Sequence, residues 1–103
     1  MNHVNLIGRV CSTPKIFEIE NGRRIARFTM NTEECYLDEH GVTKTRSHWH
    51  RLMAWGNWVR VCEEHVSDGT ELAIQGSLVT RFYLKGKTRR ISAEVEVNDM
   101  TIL

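Results

Sequence analysis

Apolar and polar residues alternate along most of the chain, and a period of two predicts strands. Val4, Leu6 and Val10 alternate with Asn5 and Arg9, which predicts a first strand. Gly8 inside it marks a bulge or the close approach of another backbone. Phe17 and Ile19 face one way, Glu18 and Glu20 the other, and Asn21-Gly22 is a hairpin-type turn signal. Ala26, Phe28 and Met30 then alternate with Arg27, Thr29 and Asn31 in a half-buried strand. The polar stretch Asp38–Thr45, containing Gly41, reads as an exposed loop. In the strand Ser47–Trp55, parity puts Trp49, Arg51, Met53 and Trp55 on one face and His48, His50, Leu52 and Ala54 on the other. A bulge would shift that division part-way along.

The period changes once. Trp58, Val61, Cys62, His65 and Val66 are spaced by three and four, which predicts a short amphipathic helix, with Asn57 placed to cap its start and Gly69 to end it. Strands resume at Glu71–Thr80, with Leu72, Ile74 and Leu78 on one parity and Gly76 at a bulge or bend. Arg81–Leu84 continue the ribbon into a turn at Lys85-Gly86-Lys87. Ile91, Ala93, Val95 and Val97 line one face of the return strand, with Ser92, Glu94 and Glu96 opposite. The expected fold is therefore all-β, a five-stranded Greek-key barrel with one short helix between strands 3 and 4, which is the order of an OB-fold. A chain of 103 residues supports one domain with one core, so residues 1–103 are read as a single domain.

Composition narrows the class. Hydrophobic residues make up 41% and charged residues 26%, as in ordinary globular domains. No stretch approaches the ~20 apolar residues of a membrane span, and Met1–Gly8 lacks the basic-then-apolar pattern of a signal peptide, so the expected compartment is the cytoplasm and no membrane partner is expected. Cys11, Cys35 and Cys62 are widely spaced, with no CxxC, and read as reduced thiols. His48 and His50 share a strand face but have no third ligand in view, so neither a metal nor a cofactor is expected.

Charge distribution says more than the net charge of +1. Arg81, Lys85, Lys87, Arg89 and Arg90 lie in a segment without any acid, whereas acids cluster at Glu33–Glu34, Asp38–Glu39 and Glu63–Glu64. A local basic stretch interleaved with aromatics suits single-stranded nucleic acid, which exposes base faces for stacking and a continuous phosphate track for cations. Trp49 and Trp55 flank Arg51 on one face, Tyr36 ends a strand, and Phe82 and Tyr83 lie in the basic hairpin. Trp58, Phe17 and Phe28 are assigned to the core. Trp49 and Trp55 are assigned to a ligand, because Arg51 shares their face and an unpaired arginine is rarely buried.

These residues resemble the bacterial single-stranded DNA-binding protein family. The resemblance is carried by Met1-Asn2-His3-Val4-Asn5-Leu6-Ile7-Gly8, by Ser47-His48-Trp49-His50-Arg51 with Ala54-Trp55-Gly56, by Gly69–Leu78, by Thr80-Arg81, and by Glu94–Met100. It implies an OB-fold that assembles as a homotetramer, or sometimes a dimer, and wraps single-stranded DNA without strong sequence preference in replication, recombination and repair. It places the base-stacking aromatics at Tyr36, Trp49, Trp55 and Tyr83. Arg51 and the basic hairpin, with Arg81, Lys85, Lys87 and Arg89, would hold phosphates, and His50 would lie at a subunit contact. Tyrosine stands at Tyr36 and Tyr83 where the family often has tryptophan, and Trp55 stands where phenylalanine is common; platform character survives each change. Family members commonly continue into a linker and an acidic tail that recruits replication and repair proteins. This sequence stops at Leu103, after the last strand, and is read as the domain without that tail. The Cys11–Lys15 loop also lacks the Gly and Asp often found there.

Two other classes compete. A primosome-type interaction module would use the same barrel mainly for protein contacts. A small metal-dependent nuclease would need clustered carboxylates or a nucleophile with its base, and the acidic pairs show no such pattern, so no enzymatic activity is expected.

Overall fold

Long alternating stretches make long strands, and long strands twist and coil until the sheet meets itself. The computed structural model describes all residues, Met1–Leu103. The elements in chain order are β1 (Val4–Val10), β2 (Lys15–Ile19), a 3-10 turn (Glu20–Gly22), β3 (Arg23–Leu37), β4 (Thr43–Trp55), α1 (Asn57–His65), β5 (Glu71–Lys85) and β6 (Thr88–Ile102). The sheet order is β1-β5-β6-β4-β3-β2, and β1 also pairs with β3. β1 meets β3 at Met30 and Asn31, and β2 meets it at Arg23–Arg27, so β1 and β2 are two halves of one barrel strand interrupted at Cys11–Pro14. Counted that way the barrel has five strands and closes, with α1 between the third and fourth, as expected of an OB-fold. The one parallel pairing, Leu52 with Val95 and Met53 with Glu96, joins β4 to β6.

Two glycines make closure possible. A Cβ at Gly8 would sit 2.0 Å from the Asn31 carbonyl oxygen, so β1 crosses β3 at a distance only glycine permits. At Gly76 a Cβ would meet the Glu96 carbonyl oxygen at 2.1 Å, and the β5–β6 register shifts between Gln75 and Gly76. This is the bulge at which the strand turns the barrel corner. Ahead of β1, the Asn2 side chain accepts from the Leu78 N–H at 2.8 Å and donates to the Leu78 carbonyl at 2.6 Å, extending the ladder by one side-chain rung.

Val10, Phe28, Met30, Leu52, Leu72, Ile74, Val95 and Val97 fill the barrel, and Val59, Cys62 and Val66 plug one end. A helix as short as α1 is marginal by itself, and docking of these three side chains holds it. Burial pushes the Cys62 thiol up to about 11.

Several sequence expectations are corrected. Asn57 is the first helical residue rather than the cap; Gly56, at φ 63, makes the turn into α1 and no side chain caps it. The helix ends at His65, where Val66 enters the core, and Gly69, at φ 94, belongs to the following turn. The exposed loop is shorter than expected, because β3 runs to Leu37 and β4 starts at Thr43. Within it Asp38 accepts from the N–H groups of His40 and Val42, both at 2.9 Å, and its carboxyl pKa is lowered chiefly by the Val42 bond. Phe17 is not core: it is 45% exposed, because β2 is a sheet edge whose outward parity faces solvent. Trp58 is only partly buried against the core. Ile91 is exposed because the outer half of the β5–β6 hairpin projects beyond the barrel, and Leu78, paired with Val95 at the last joined rung, is exposed where the cleft between the hairpins opens.

Candidate nucleic-acid interface

Cross-strand register sorts the outer face of the barrel without ambiguity, since directly paired residues in antiparallel strands share a face. Ile25 pairs with Phe17 on one side and Trp55 on the other, Arg27 with Lys15 and Met53, Thr29 with Arg51, and Asn31 with Trp49. On the far side, Arg81 pairs with Ser92 and Tyr83 with Arg90. The parallel β4–β6 pairing of Met53 with Glu96 links both halves into one surface. Trp49, Trp55 and Tyr83 are 67%, 42% and 48% exposed on it. Met53 shares the parity of the two tryptophans yet is buried, so the apolar floor continues beneath them.

Beyond the Leu52/Val95 pair the β3–β4 and β5–β6 hairpins separate. The cleft between them holds about 400 Å³ and is lined by Trp49, Arg51, Tyr83, Ile91 and Ser92. Arg51 spans its neck, donating from Nη1 to Ser92 Oγ at 3.3 Å, and makes no ion pair. A flat planar group entering here meets aromatic surface from both walls and an unneutralised guanidinium between them.

The hairpin cations divide into two groups. Lys85, Lys87, Arg89 and Arg90 have no carboxylate within ion-pair distance, and the Arg89 guanidinium lies over the Phe82 ring at 4.5 Å. Arg81 is already engaged, at 3.6 Å from Glu94 and 3.3 Å from Glu96. Arg27 also reaches Glu94, at 2.9 Å. Glu94 is buried on this face, and its Oε2 has no hydrogen-bond donor. Phe82 pairs with Ile91 and points to the face opposite Tyr83.

The register puts Tyr36 and His50 on the parity opposite the tryptophans, although His50 also lines the cleft beside Trp49. Tyr36 pairs with Lys44, and the register puts it on the face of the β3–β4 hairpin that also carries Arg46, His48 and His50, opposite Trp49. The Arg46 guanidinium covers the Tyr36 ring at 4.4 Å. His50 Nε2 is 2.8 Å from Thr32 Oγ1, and burial, aided by repulsion from His48, lowers the His50 pKa from the ordinary imidazole value of 6.5. No group of three or more His, Cys, Asp or Glu could hold a metal ion.

Sequence reasoning missed Lys15, Phe17, Arg27 and Glu94 on this face. An alternating strand looks the same whether its apolar parity faces the core or lies exposed on an edge, so Phe17 carried no distinguishing signal. Glu94 and Arg27 are 67 residues apart and only register brings them together.

A closed barrel with a cleft of exposed aromatics and free cations between two long hairpins is the layout of an oligonucleotide-binding OB domain. A sequence model described as the single-strand binding protein family matches residues 1–103, and the chain belongs to that family, one of binding proteins. It is 32% identical over 105 residues to single-stranded DNA-binding protein 1 of Chlorobaculum tepidum, and the match takes in all of this chain and 65% of that protein. A Plasmodium falciparum SSB complex with ssDNA superimposes with a TM-score of 0.94 at 29% identity, over all of this chain and 95% of that one. The single-stranded DNA binding protein from Thermus aquaticus, in a deletion-mutant crystal structure, shares the fold with a TM-score of 0.89 at 20% identity, over all of this chain and 50% of that one. No helix is long and apolar enough to cross a membrane.

Proposed function

We propose that the chain binds single-stranded DNA without strong sequence preference, with bases stacking on Trp49, Trp55 and Tyr83 and phosphates held by Arg51, Lys85, Lys87 and Arg89. The observation that carries this reading is the cleft lined by both Trp49 and Tyr83, with Arg51, which has no carboxylate partner, bonded to Ser92 within it. Stacking contributes about 1–3 kcal/mol per base and accepts any base, which accounts for sequence tolerance. Arg81 joins the phosphate track once DNA competes with Glu94 and Glu96 for it, and Tyr36 receives a base where the strand passes around the tip of the β3–β4 hairpin. His50 serves at a contact between copies of a homo-oligomer, a tetramer in preference to a dimer. The protein acts by occupancy rather than catalysis, keeping exposed strands unpaired for replication, recombination and repair proteins in the cytoplasm, at the nucleoid.

Intrinsic tryptophan fluorescence titrated with oligo-dT at low and high salt tests the reading. Saturable quenching is expected, reduced in Trp49→Ala and in Trp55→Ala. If the cations Arg51, Lys85, Lys87 and Arg89 each neutralise one phosphate, log K falls with log salt at a slope of roughly −2.8, about a 50-fold loss from 50 to 200 mM. Absence of quenching at low salt would sink the DNA-binding function and leave the barrel as a protein-contact module.

A further inference from the structure

The outer face does not end at Trp55. Ile25 lies beside it on β3, and Phe17 lies beside Ile25 on the edge strand β2. Two strand spacings, about 10 Å, separate the backbones that carry Trp55 and Phe17, within reach of successive nucleotides of one extended strand. Ile25 is buried and forms an apolar floor between the two rings, while Phe17 is 45% exposed. Beside Phe17 runs a groove of about 330 Å³ whose lining includes Lys15, Phe17, Arg27, Thr29, Arg51 and Glu94. Three of its nine lining residues are cations. Lys15 has no ion-pair partner, Arg51 bonds only the Ser92 hydroxyl, and the one acid, Glu94, is already held by Arg27 and Arg81.

We propose that Phe17 is an additional base-stacking platform, with Lys15 as its phosphate contact, so that single-stranded DNA leaving Trp55 continues over β3 onto β2. This rests on the DNA-binding reading above and extends its track to a strand that reading does not use. An aromatic face flanked by cations and continuous with a tryptophan platform matches the recurring unit of single-strand recognition. The Phe17 ring has no hydrogen-bonding edge to read, so the added site lengthens the footprint without adding sequence preference.

Affinity for oligo-dT of increasing length tests this in Phe17→Ala, Phe17→Leu and Phe17→Tyr, beside Trp49→Ala and Trp55→Ala. Phe17→Ala is expected to weaken binding roughly 5- to 140-fold. The loss should emerge only with oligonucleotides long enough to pass Trp55. Phe17→Leu should lose nearly as much, because it keeps apolar bulk but no ring face, and Phe17→Tyr should bind like the parent. Lys15→Gln should reduce the salt slope by about 0.7. The parent protein supplies a second readout: ultraviolet crosslinking to 5-iododeoxyuridine-substituted oligo-dT should yield a peptide containing Phe17. Parent-like affinity of Phe17→Ala at every length, with Trp55→Ala weakened, would end the track at Trp55 and overturn the proposal while leaving the function intact. Crosslinks at Trp49 or Trp55 with none at the Phe17 peptide would overturn it too. Parent-like binding by both tryptophan variants would remove the function itself, and this site with it.

Discussion

Glu94 is a buried carboxylate in the middle of a face read as binding a polyanion, and neutralising it separates two roles that the geometry combines. The side chain is 8% exposed, with Arg27 at 2.9 Å on one oxygen and Arg81 at 3.6 Å on the other. Glu94→Gln keeps the shape and one acceptor but removes the charge. Stability should fall by about 1–2 kcal/mol: a charge-assisted bond contributes roughly 1.5–3 kcal/mol, part survives as a neutral bond, and the half-exposed arginines can return to water. At a urea m-value of about 2 kcal/mol/M this lowers the unfolding midpoint by roughly half to one molar. DNA affinity should move the other way. A phosphate about 7 Å from the lost charge gains on the order of 0.6–2.4 kcal/mol at effective dielectric constants of about 80 to 20, and Arg27 and Arg81 are released to the track. Affinity for oligo-dT at low salt should therefore rise at least about threefold, with a steeper salt slope by up to about 0.7 per recruited arginine. Urea unfolding and fluorescence titrations at several salt concentrations read both quantities. Weaker binding by a folded Glu94→Gln, with an unchanged or shallower salt slope, would refute the reasoning: the carboxylate would then hold the arginines in their binding geometry rather than compete for them.

Gly8→Ala should destabilise the barrel by at least about 2 kcal/mol, because its Cβ would meet the Asn31 carbonyl oxygen, which is backbone and cannot swing aside; a urea midpoint equal to the parent's would show that β1 can shift at the crossing without cost. The lowered pKa of His50 means that below 6.5 the unfolded chain binds a proton more readily than the folded one. Stability should therefore be complete above that value and be lost as pH falls toward the folded-state value, so His50→Asn should flatten the change in urea midpoint between pH 7.5 and 5.5; an identical pH profile for the variant would remove His50 from the account. Cys11 and Cys35 are exposed, whereas Cys62 is buried with its pKa pushed up to about 11. Mass spectrometry after alkylation at pH 8 should accordingly find two labels on the native protein and three in urea.

Much of this molecule was decided locally and is visible in the residues. Strand periodicity, the helix period at Trp58–Val66, the close approach at Gly8 and the bulge at Gly76 each follow from side-chain spacing or the absence of a Cβ. The exposure of Trp49 and Trp55 followed from one chemical argument, that Arg51 beside them would not be buried unpaired. The Trp-His-Arg segment and its companions carried the family resemblance along the chain. Parity alone could not say which apolar face is covered, because coverage depends on what packs there: Met53 is buried on the tryptophan face, while Phe17 stands exposed on an edge. Nor could it show that Tyr36 stands on the opposite face of its hairpin from Trp49, since that relation exists only once β3 and β4 are in register. The separation of free hairpin cations from Arg81, already held by Glu94 and Glu96, was likewise settled by tertiary pairing. Periodicity is a property of neighbours along the chain, whereas a binding face is assembled from strands distant in sequence, and only their register determines which rings and charges share it.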